Sequence, residues 1–267
     1  MANAHAHSTN ALPISDQIVL ITGGARGLGA ALTKTFVSEG ASVVINYRTS
    51  EDAAGELVKS IEGQGGRALA VQADVTDFRA VLAMFKYVQD EWNAPVSTVV
   101  NNALVDFSFN GDERPHADEI DYEHFSAQFR GSVGGAVNTI QSALPGFREL
   151  GSGRVINIGT NLFQNPVVPY RDYTASKAAL LSVTRTFAKD LGPLGVWVNM
   201  VSGGLLRTTD ASSATPPEVF DAIASTTPLG HVTTPEEFAA AATFFASPAS
   251  RAVTGQNLVV DNGLVFD

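Results

Sequence analysis

Tyr173 and Lys177 stand four residues apart in Tyr173-Thr-Ala-Ser-Lys177, a spacing that stacks two side chains on one face of a helix. A phenol with a pKa of about 10 gives up its proton reluctantly near neutrality. A fixed ammonium beside it favours the phenolate and makes the tyrosine a better general acid. A surface Tyr and Lys one turn apart would have the same spacing. The apolar run Ala178-Ala179-Leu180-Leu181 that follows argues for a buried helix instead.

A second constellation lies near the N-terminus, where Thr22-Gly23-Gly24-Ala25-Arg26-Gly27-Leu28-Gly29 follows the apolar run Ile18-Val-Leu-Ile21 and precedes an amphipathic stretch, Ala30 to Glu39. Strand, glycine turn and helix in that order bind phosphate. Gly23 permits the tight turn, Gly27 and Gly29 let a pyrophosphate approach the backbone, and the unpaired N–H groups of the helix face the anion. Val43-Val44-Ile45 reads as the next strand, and a carboxylate at its end would bond the ribose 2′-hydroxyl of NAD. Asn46, Tyr47 and Arg48 stand there instead. Arg48, joined by Arg26 from the glycine turn, suits a 2′-phosphate through charge-assisted contacts, so NADP(H) is the expected cofactor. The alternative is that both arginines are solvated surface charges. Glu51 and Asp52 read as first-turn acids behind a Ser50 cap.

These groups need a scaffold, and strand-like runs alternating with helix-like ones predict parallel βαβ units. Seven strands are expected near 17–22, 42–46, 67–71, 96–100, 153–159, 195–201 and 257–260. Helices are expected near 27–39, 51–62, 77–91, 120–149, 173–191 and 235–246. Ligands in such sheets sit beyond the carboxyl ends of the strands, where Gly23, Asn46, Asp74, Asn102, Thr160 and Gly204 converge. Asp74 has a second reading as a turn residue bonding backbone amides next to Thr76 and Asp77. Two longer polar segments, Val105 to Tyr122 and Gly204 to Val232, read as loops shaping a substrate pocket; the second holds Pro216-Pro217-Glu218, a short helix to Ala224, and reads as a lid.

Composition narrows the function. With 267 residues, 45% of them hydrophobic, the chain suits one α/β domain over 16–267 behind a flexible polar extension at 1–15. No run approaches the ~20 apolar residues of a membrane helix, and Met1 to Ser15 lacks the apolar segment of a secretion signal, so a cytoplasmic location is expected. The absence of cysteine excludes disulfides and thiolate catalysis, and five scattered histidines show no metal-ligand spacing. A net charge of −10 opposes binding to nucleic acid or an anionic membrane, and sits awkwardly with docking an acidic carrier protein.

Thr22-Gly23-(three residues)-Gly27-Leu28-Gly29, Asp74-Val75, Asn101-Asn102-Ala103, Tyr173-(three residues)-Lys177, Asn199-Met-Val201, and Thr254-Gly255-Gln256 leading into Val259-Val260-Asp261-Asn262-Gly263 together resemble the short-chain dehydrogenase/reductase family over nearly the whole chain. The Asn-Tyr-Arg turn and the tail resemble its bacterial 3-oxoacyl-[acyl-carrier-protein] reductases. The resemblance implies a Rossmann-type, doubly wound, seven-stranded parallel sheet with helices on both faces. It also implies reduction of a carbonyl, such as a 3-oxoacyl thioester of fatty-acid synthesis, by hydride from NADPH. Tyr173 would then be the proton donor, Lys177 its tuning cation and a holder of the nicotinamide ribose, and Thr160 the hydroxyl on the carbonyl oxygen where the family has serine. Ser132 falls where the family has asparagine in a proton relay, and a short hydroxyl cannot reproduce an amide's reach. Asp74 and Val75 would lie against the adenine, Asn102 with Ala103 beside the ribose, and Leu206 and Thr208 at the nicotinamide end. Further departures are Leu104 and Gly203, where glycine and proline are common, and Asn262. Leu104 would narrow the substrate entrance and Gly203 would loosen a turn. Another alcohol or sugar dehydrogenase specificity, or a nucleotide-binding protein with weak catalysis, stays open. The helices at 120–149 and 173–191 carry Gly131, Gly134, Gly135, Ala136, Ala175, Ala178 and Ala179, and by resemblance would pair in a homotetramer.

Overall fold

The computed structural model describes residues 11–107, 114–209, 212–213 and 215–266. Seven strands, β1 (Ile18–Ile21), β2 (Ser42–Tyr47), β3 (Arg67–Gln72), β4 (Thr98–Asn101), β5 (Gly153–Thr160), β6 (Val196–Gly203) and β7 (Asn257–Val260), form one sheet. Its order is β3-β2-β1-β4-β5-β6-β7, and every pairing is parallel. The central strands are apolar on both faces because both are covered: β1 and β4 are buried at every position.

The helices are α1 (Gly27–Ser38), α2 (Glu51–Glu62), α3 (Phe78–Trp92), α4 (Tyr122–Phe129), α5 (Gly135–Leu150), α6 (Arg171–Leu191), α7 (Pro217–Thr226) and α8 (Pro235–Ala246). Leu32 and Phe36 of α1, Leu57 and Ile61 of α2, and Phe238 and Phe245 of α8 fill one core layer. Val81, Met84, Phe85 and Val88 of α3, with Ile140 and Phe147 of α5, fill the other. Spacings of three and four residues give each helix the stripe it buries. Starts and stops follow local chemistry. The Asp77 carboxylate accepts from the amides of Arg79 and Ala80 to cap α3, and Asn93 ends it at φ 51°. Thr234 and Glu237 form a reciprocal capping box on α8.

Three expectations change. The helix expected over 120–149 is interrupted by a π turn at Arg130–Gly134, where the N–H of Gly135 reaches Arg130 O as well as Gly131 O. Gly131 and Gly134 within the turn and Gly135 just after it weaken the local helix preference, and a Cβ on Gly131 would lie 2.8 Å from Val105 Cβ. The extension expected to end at residue 15 ends sooner, because Ile14 packs into the core and Leu12 O accepts a bond from Gln17 Nε2; residues 1–10 lie outside the described residues. Gly203, expected to loosen a turn, is a packing position: a Cβ there would stand 2.7 Å from Phe238 Cε2.

A buried polar chain crosses the sheet beneath the carboxyl edge. Thr139 Oγ1 donates to Asn101 Oδ1 at 2.6 Å, Asn101 Nδ2 to Asn157 Oδ1 at 2.9 Å, and Asn157 Nδ2 to Thr184 Oγ1 at 2.8 Å. It joins α5, β4, β5 and α6, and so supports the register of the strands that carry the site.

Candidate active site

The strand order reverses direction between β1 and β4, and the two chains leaving those strands part there. A cleft of about 600 Å³ opens at this point, lined by the glycine turn, the ends of β2, β3 and β4, and Tyr173 and Lys177. Gly23 and Gly27 take φ of 61° and 52°, which only glycine adopts freely. The N-terminus of α1 follows at Gly27, with Arg26 as its first flanking residue, so free amides and the helix dipole face the cleft. Gly29 is different from the expectation. It is buried, and a Cβ there would strike Gly23 O, so its lack of a side chain serves helix-to-turn packing.

Asn46, Asn102 and Ala103 line the cleft, yet their polar groups hold the scaffold. Asn102 Nδ2 donates to Thr22 O at 2.9 Å and Gly23 O at 3.2 Å, while the amides of Asn102 and Ala103 donate to Thr22 Oγ1. Asn46 Oδ1 accepts from Gly23 N at 3.4 Å and its Nδ2 donates to Ala73 O at 3.0 Å. These side chains position the turn, a role their place after each strand did not reveal.

Tyr47, Arg48, Asp74 and Val75 form the far wall. Asp74 does what its turn reading said: its Oδ1 accepts from the Thr76 amide at 2.8 Å and hydroxyl at 2.7 Å. Burial raises its pKa, but the Thr76 bonds and the Arg48 charge outweigh that and hold the carboxyl below its usual value. Arg48 lies 3.9 Å from Asp74 Oδ2 and donates to Asp106 Oδ1 at 2.9 Å.

At the other end Tyr173, Lys177 and Thr160 are all buried. Thr160 caps the short turn after β5 and its hydroxyl bonds the Tyr173 phenol. Lys177 Nζ donates to Ile158 O at 2.7 Å and sits 5.7 Å from the Tyr173 ring centre. Desolvation dominates both groups. It pushes the phenol up to about 12, with the Thr160 bond pulling the other way, and pushes the ammonium down to about 8. Tyr173 was expected to be lowered by Lys177; instead burial raises it, and the only opposing pull comes from Thr160.

Ser132 sits in the π turn behind the cleft, accepting from Ser176 Oγ at 3.1 Å. It borders, with Asn101 and Lys177, a space of about 10 Å³, close to the volume one water needs. Gly204 packs on Asn161, and Leu206 packs on the core; Thr208 is exposed, and Thr209 takes its expected place in the cleft wall. Phe107, which its polar loop gave no reason to single out, lies over Tyr173 with ring centres 4.8 Å apart. Among the described residues no cluster of His, Cys, Asp and Glu suits a metal, and no helix is long and apolar enough to cross a membrane.

A family model described as enoyl-(acyl carrier protein) reductase matches residues 23–265. The chain is 33% identical to 3beta-hydroxysteroid dehydrogenase 1 of Eggerthella lenta over 256 residues, 95% of each chain. It is 30% identical to an NADPH-dependent aldehyde reductase-like chloroplastic protein of Arabidopsis thaliana, over 95% of this chain and 96% of that one. Among solved structures it superposes on a gluconate 5-dehydrogenase of Burkholderia cenocepacia in complex with NADP and tartrate, with TM-score 0.84, 29% identity, and 97% and 98% of the two chains covered. A Serratia marcescens short-chain dehydrogenase/reductase variant gives TM-score 0.82 and 28% identity, with 95% of this chain and 99% of that one covered. With its seven-stranded sheet, its glycine turn and these relatives across nearly its full length, the chain belongs to the short-chain dehydrogenase/reductase family of oxidoreductases.

Proposed function

We propose that this enzyme interconverts a carbonyl and an alcohol with NADP(H), using Tyr173 as the proton donor in reduction. The observation that carries the reading is the Tyr173 phenol, bonded to the Thr160 hydroxyl and lining the same cleft as the α1 N-terminus and Arg48. The cleft suits a dinucleotide: Gly23 and Gly27 bare the backbone, the α1 amides and Arg26 would hold the pyrophosphate, and Arg48 would hold a 2′-phosphate. When bound, the nicotinamide gives hydride to the substrate carbon or takes it away. Tyr173 keeps its proton on the phenol throughout the neutral range, because burial opposes the phenolate. Thr160 Oγ1 donates to the phenol oxygen in the free enzyme and would turn that one hydrogen to the substrate oxygen once substrate is bound. Lys177 favours the phenolate left after transfer. Ser132, bonded to Ser176, lines with Lys177 the small space through which a water would restore the proton.

Leu104, Val105 and Phe107 give the substrate end an apolar wall, which favours a carbonyl attached to an apolar body. A 3-oxoacyl thioester meets that description, and so does a steroid, as the Eggerthella lenta relative's name suggests. A panel of both, with aldehydes and sugar acids, separates them by kcat/KM. A homotetramer remains part of the reading. Gly131 and Gly135 pack inside the subunit on Val105 and Val75, so the paired face would fall to Ala175, Ala178 and Ala179 with the exposed Tyr122 and Phe129. Light scattering should give four times the 28.0 kDa chain mass; a monomer mass over a wide concentration range would remove the tetramer.

Tyr173→Phe deletes only the hydroxyl, so NADPH affinity should hold while turnover falls by ~10²–10⁴, the range for loss of a general acid. Full turnover in this variant on the authentic substrate refutes the mechanism. Arg48→Glu should weaken NADPH binding at least ~10-fold and spare NADH; equal NADPH affinity in the two proteins removes Arg48 from the site.

Lys177 supplies a pH test. Its folded pKa of about 8 lies below the ordinary 10.5, so below pH 8 the native state bears the full penalty of a buried ammonium. Between those values the native protein has shed a proton the unfolded chain still holds, and stability rises with pH. Measured by urea unfolding, wild type should gain on the order of 3 kcal/mol relative to Lys177→Met across that window. A pH-independent difference between the two proteins contradicts it.

A further inference from the structure

The guanidinium that meets the 2′-phosphate in the reading above already has a carboxylate bonded to it. Arg48 Nη2 donates to Asp106 Oδ1 at 2.9 Å, and Asp74 is the more distant neighbour at 3.9 Å. The two acids are held differently. Asp74 is anchored by two bonds from Thr76, whereas the Asp106 carboxyl is 67% exposed and loses little on returning to water.

Asp106 is joined by one peptide bond to Phe107, whose ring covers the catalytic phenol. Phe107 is stacked on Tyr173 on one side, and the guanidinium of Arg114 lies 4.4 Å from its centroid. Arg114 is in turn clamped by both oxygens of the buried Asp172 at 2.6 Å. The backbone between the two contacts is taut: Asp106 has φ 49°, a left-handed conformation few residues other than glycine take readily. The carbonyls of Val105 and Asp106 both accept from Gln128 Nε2, at 3.3 and 3.4 Å. One short arm, residues 105–107, therefore touches the adenosine end of the cleft through Asp106 and the catalytic end through Phe107.

We infer that Asp106 is a built-in competitor for the cofactor's 2′-phosphate, and that its displacement from Arg48 loosens Phe107 from Tyr173. The inference rests on the NADP(H) reading. A phosphate monoester carries about −1.5 to −2 charges at neutral pH and bonds a guanidinium through two oxygens, so it outcompetes a single exposed carboxylate. NAD(H), with a hydroxyl at the same place, leaves the Arg48–Asp106 pair intact. Binding of the phosphate and uncovering of the phenol are then linked, and the linkage is reciprocal: a substrate that lifts Phe107 also frees Arg48. Cofactor choice is thereby expressed at the catalytic tyrosine as well as in affinity.

The test uses adenosine 2′,5′-bisphosphate and ADP as probes that lack the nicotinamide. Asp106→Asn keeps the side-chain shape and suits the left-handed backbone, so it removes only the charge. Calorimetry should show the bisphosphate binding this variant about fivefold more tightly than wild type, the worth of one exposed ion pair, with ADP unchanged. In Phe107→Trp, corrected for the signal of Trp92 and Trp197, emission should shift to the red with the bisphosphate and stay fixed with ADP. Equal bisphosphate affinity in wild type and Asp106→Asn, or the same tightening for ADP, overturns the competition. Tightening with an unmoved Phe107→Trp spectrum overturns the link to Tyr173. If Arg48→Glu and wild type both fail to distinguish the bisphosphate from ADP, the NADP(H) reading itself falls, and this inference with it.

Discussion

Seven parallel strands deliver their carboxyl ends to one edge, and the backbone groups exposed where β1 and β4 part have no neighbouring strand to satisfy them. Side chains do it instead. The Thr22 hydroxyl takes two amides from the β4 end, Asn102 returns two bonds to the β1 turn, and Asn46 ties that turn to the end of β3. These bonds tie the strand ends that line the cleft to one another at fixed spacing. The phosphate-facing turn thus rests on three strands and is not a free loop, which is the rigidity a preorganised anion site requires.

The end that holds Tyr173 and Lys177 obeys a different constraint. Tyr173 and Lys177 are buried in one low-dielectric region, and burial drives both toward their neutral forms, the phenol up and the ammonium down. Burial of this kind keeps the proton on the phenol through the neutral range. Lys177 is tolerated because its Nζ has a carbonyl partner in Ile158, and the polar chain from Thr139 to Thr184 fixes the two strands that present it. Stability is given up at Lys177 and recovered in the network below.

Much of this was legible in the residues. Apolar runs such as Ile18 to Ile21 and Val43 to Ile45 became strands within a residue or two, because central strands of a parallel sheet are buried on both faces and read as continuous hydrophobic segments. Tyr173 and Lys177 came together because their spacing is a local property of a helix. What stayed hidden depends on long-range packing. Nothing around Gly29 reveals that Gly23 O lies against it, and nothing around Asn102 shows that its amide is spent on the turn. Phe107 and Asp106 were lost for the same reason, since their partners lie 66 and 58 residues away in sequence. The direction of the Tyr173 shift turned on burial, which a charge pattern does not encode.

The π turn at Arg130–Gly134 has a consequence for how this chain can change in length. A π turn holds one residue more than an α-helix needs to join the same two ends. Deleting a residue within those five would leave α4 and α5 in phase, with the α5 stripe of Ile140, Ala143 and Phe147 still facing the sheet. The same deletion within α5, upstream of Ile140, would turn every later side chain by ~100° about the helix axis. The segment beside Lys177 is therefore a store of slack, where the helix can lose a residue without its buried face being rewritten.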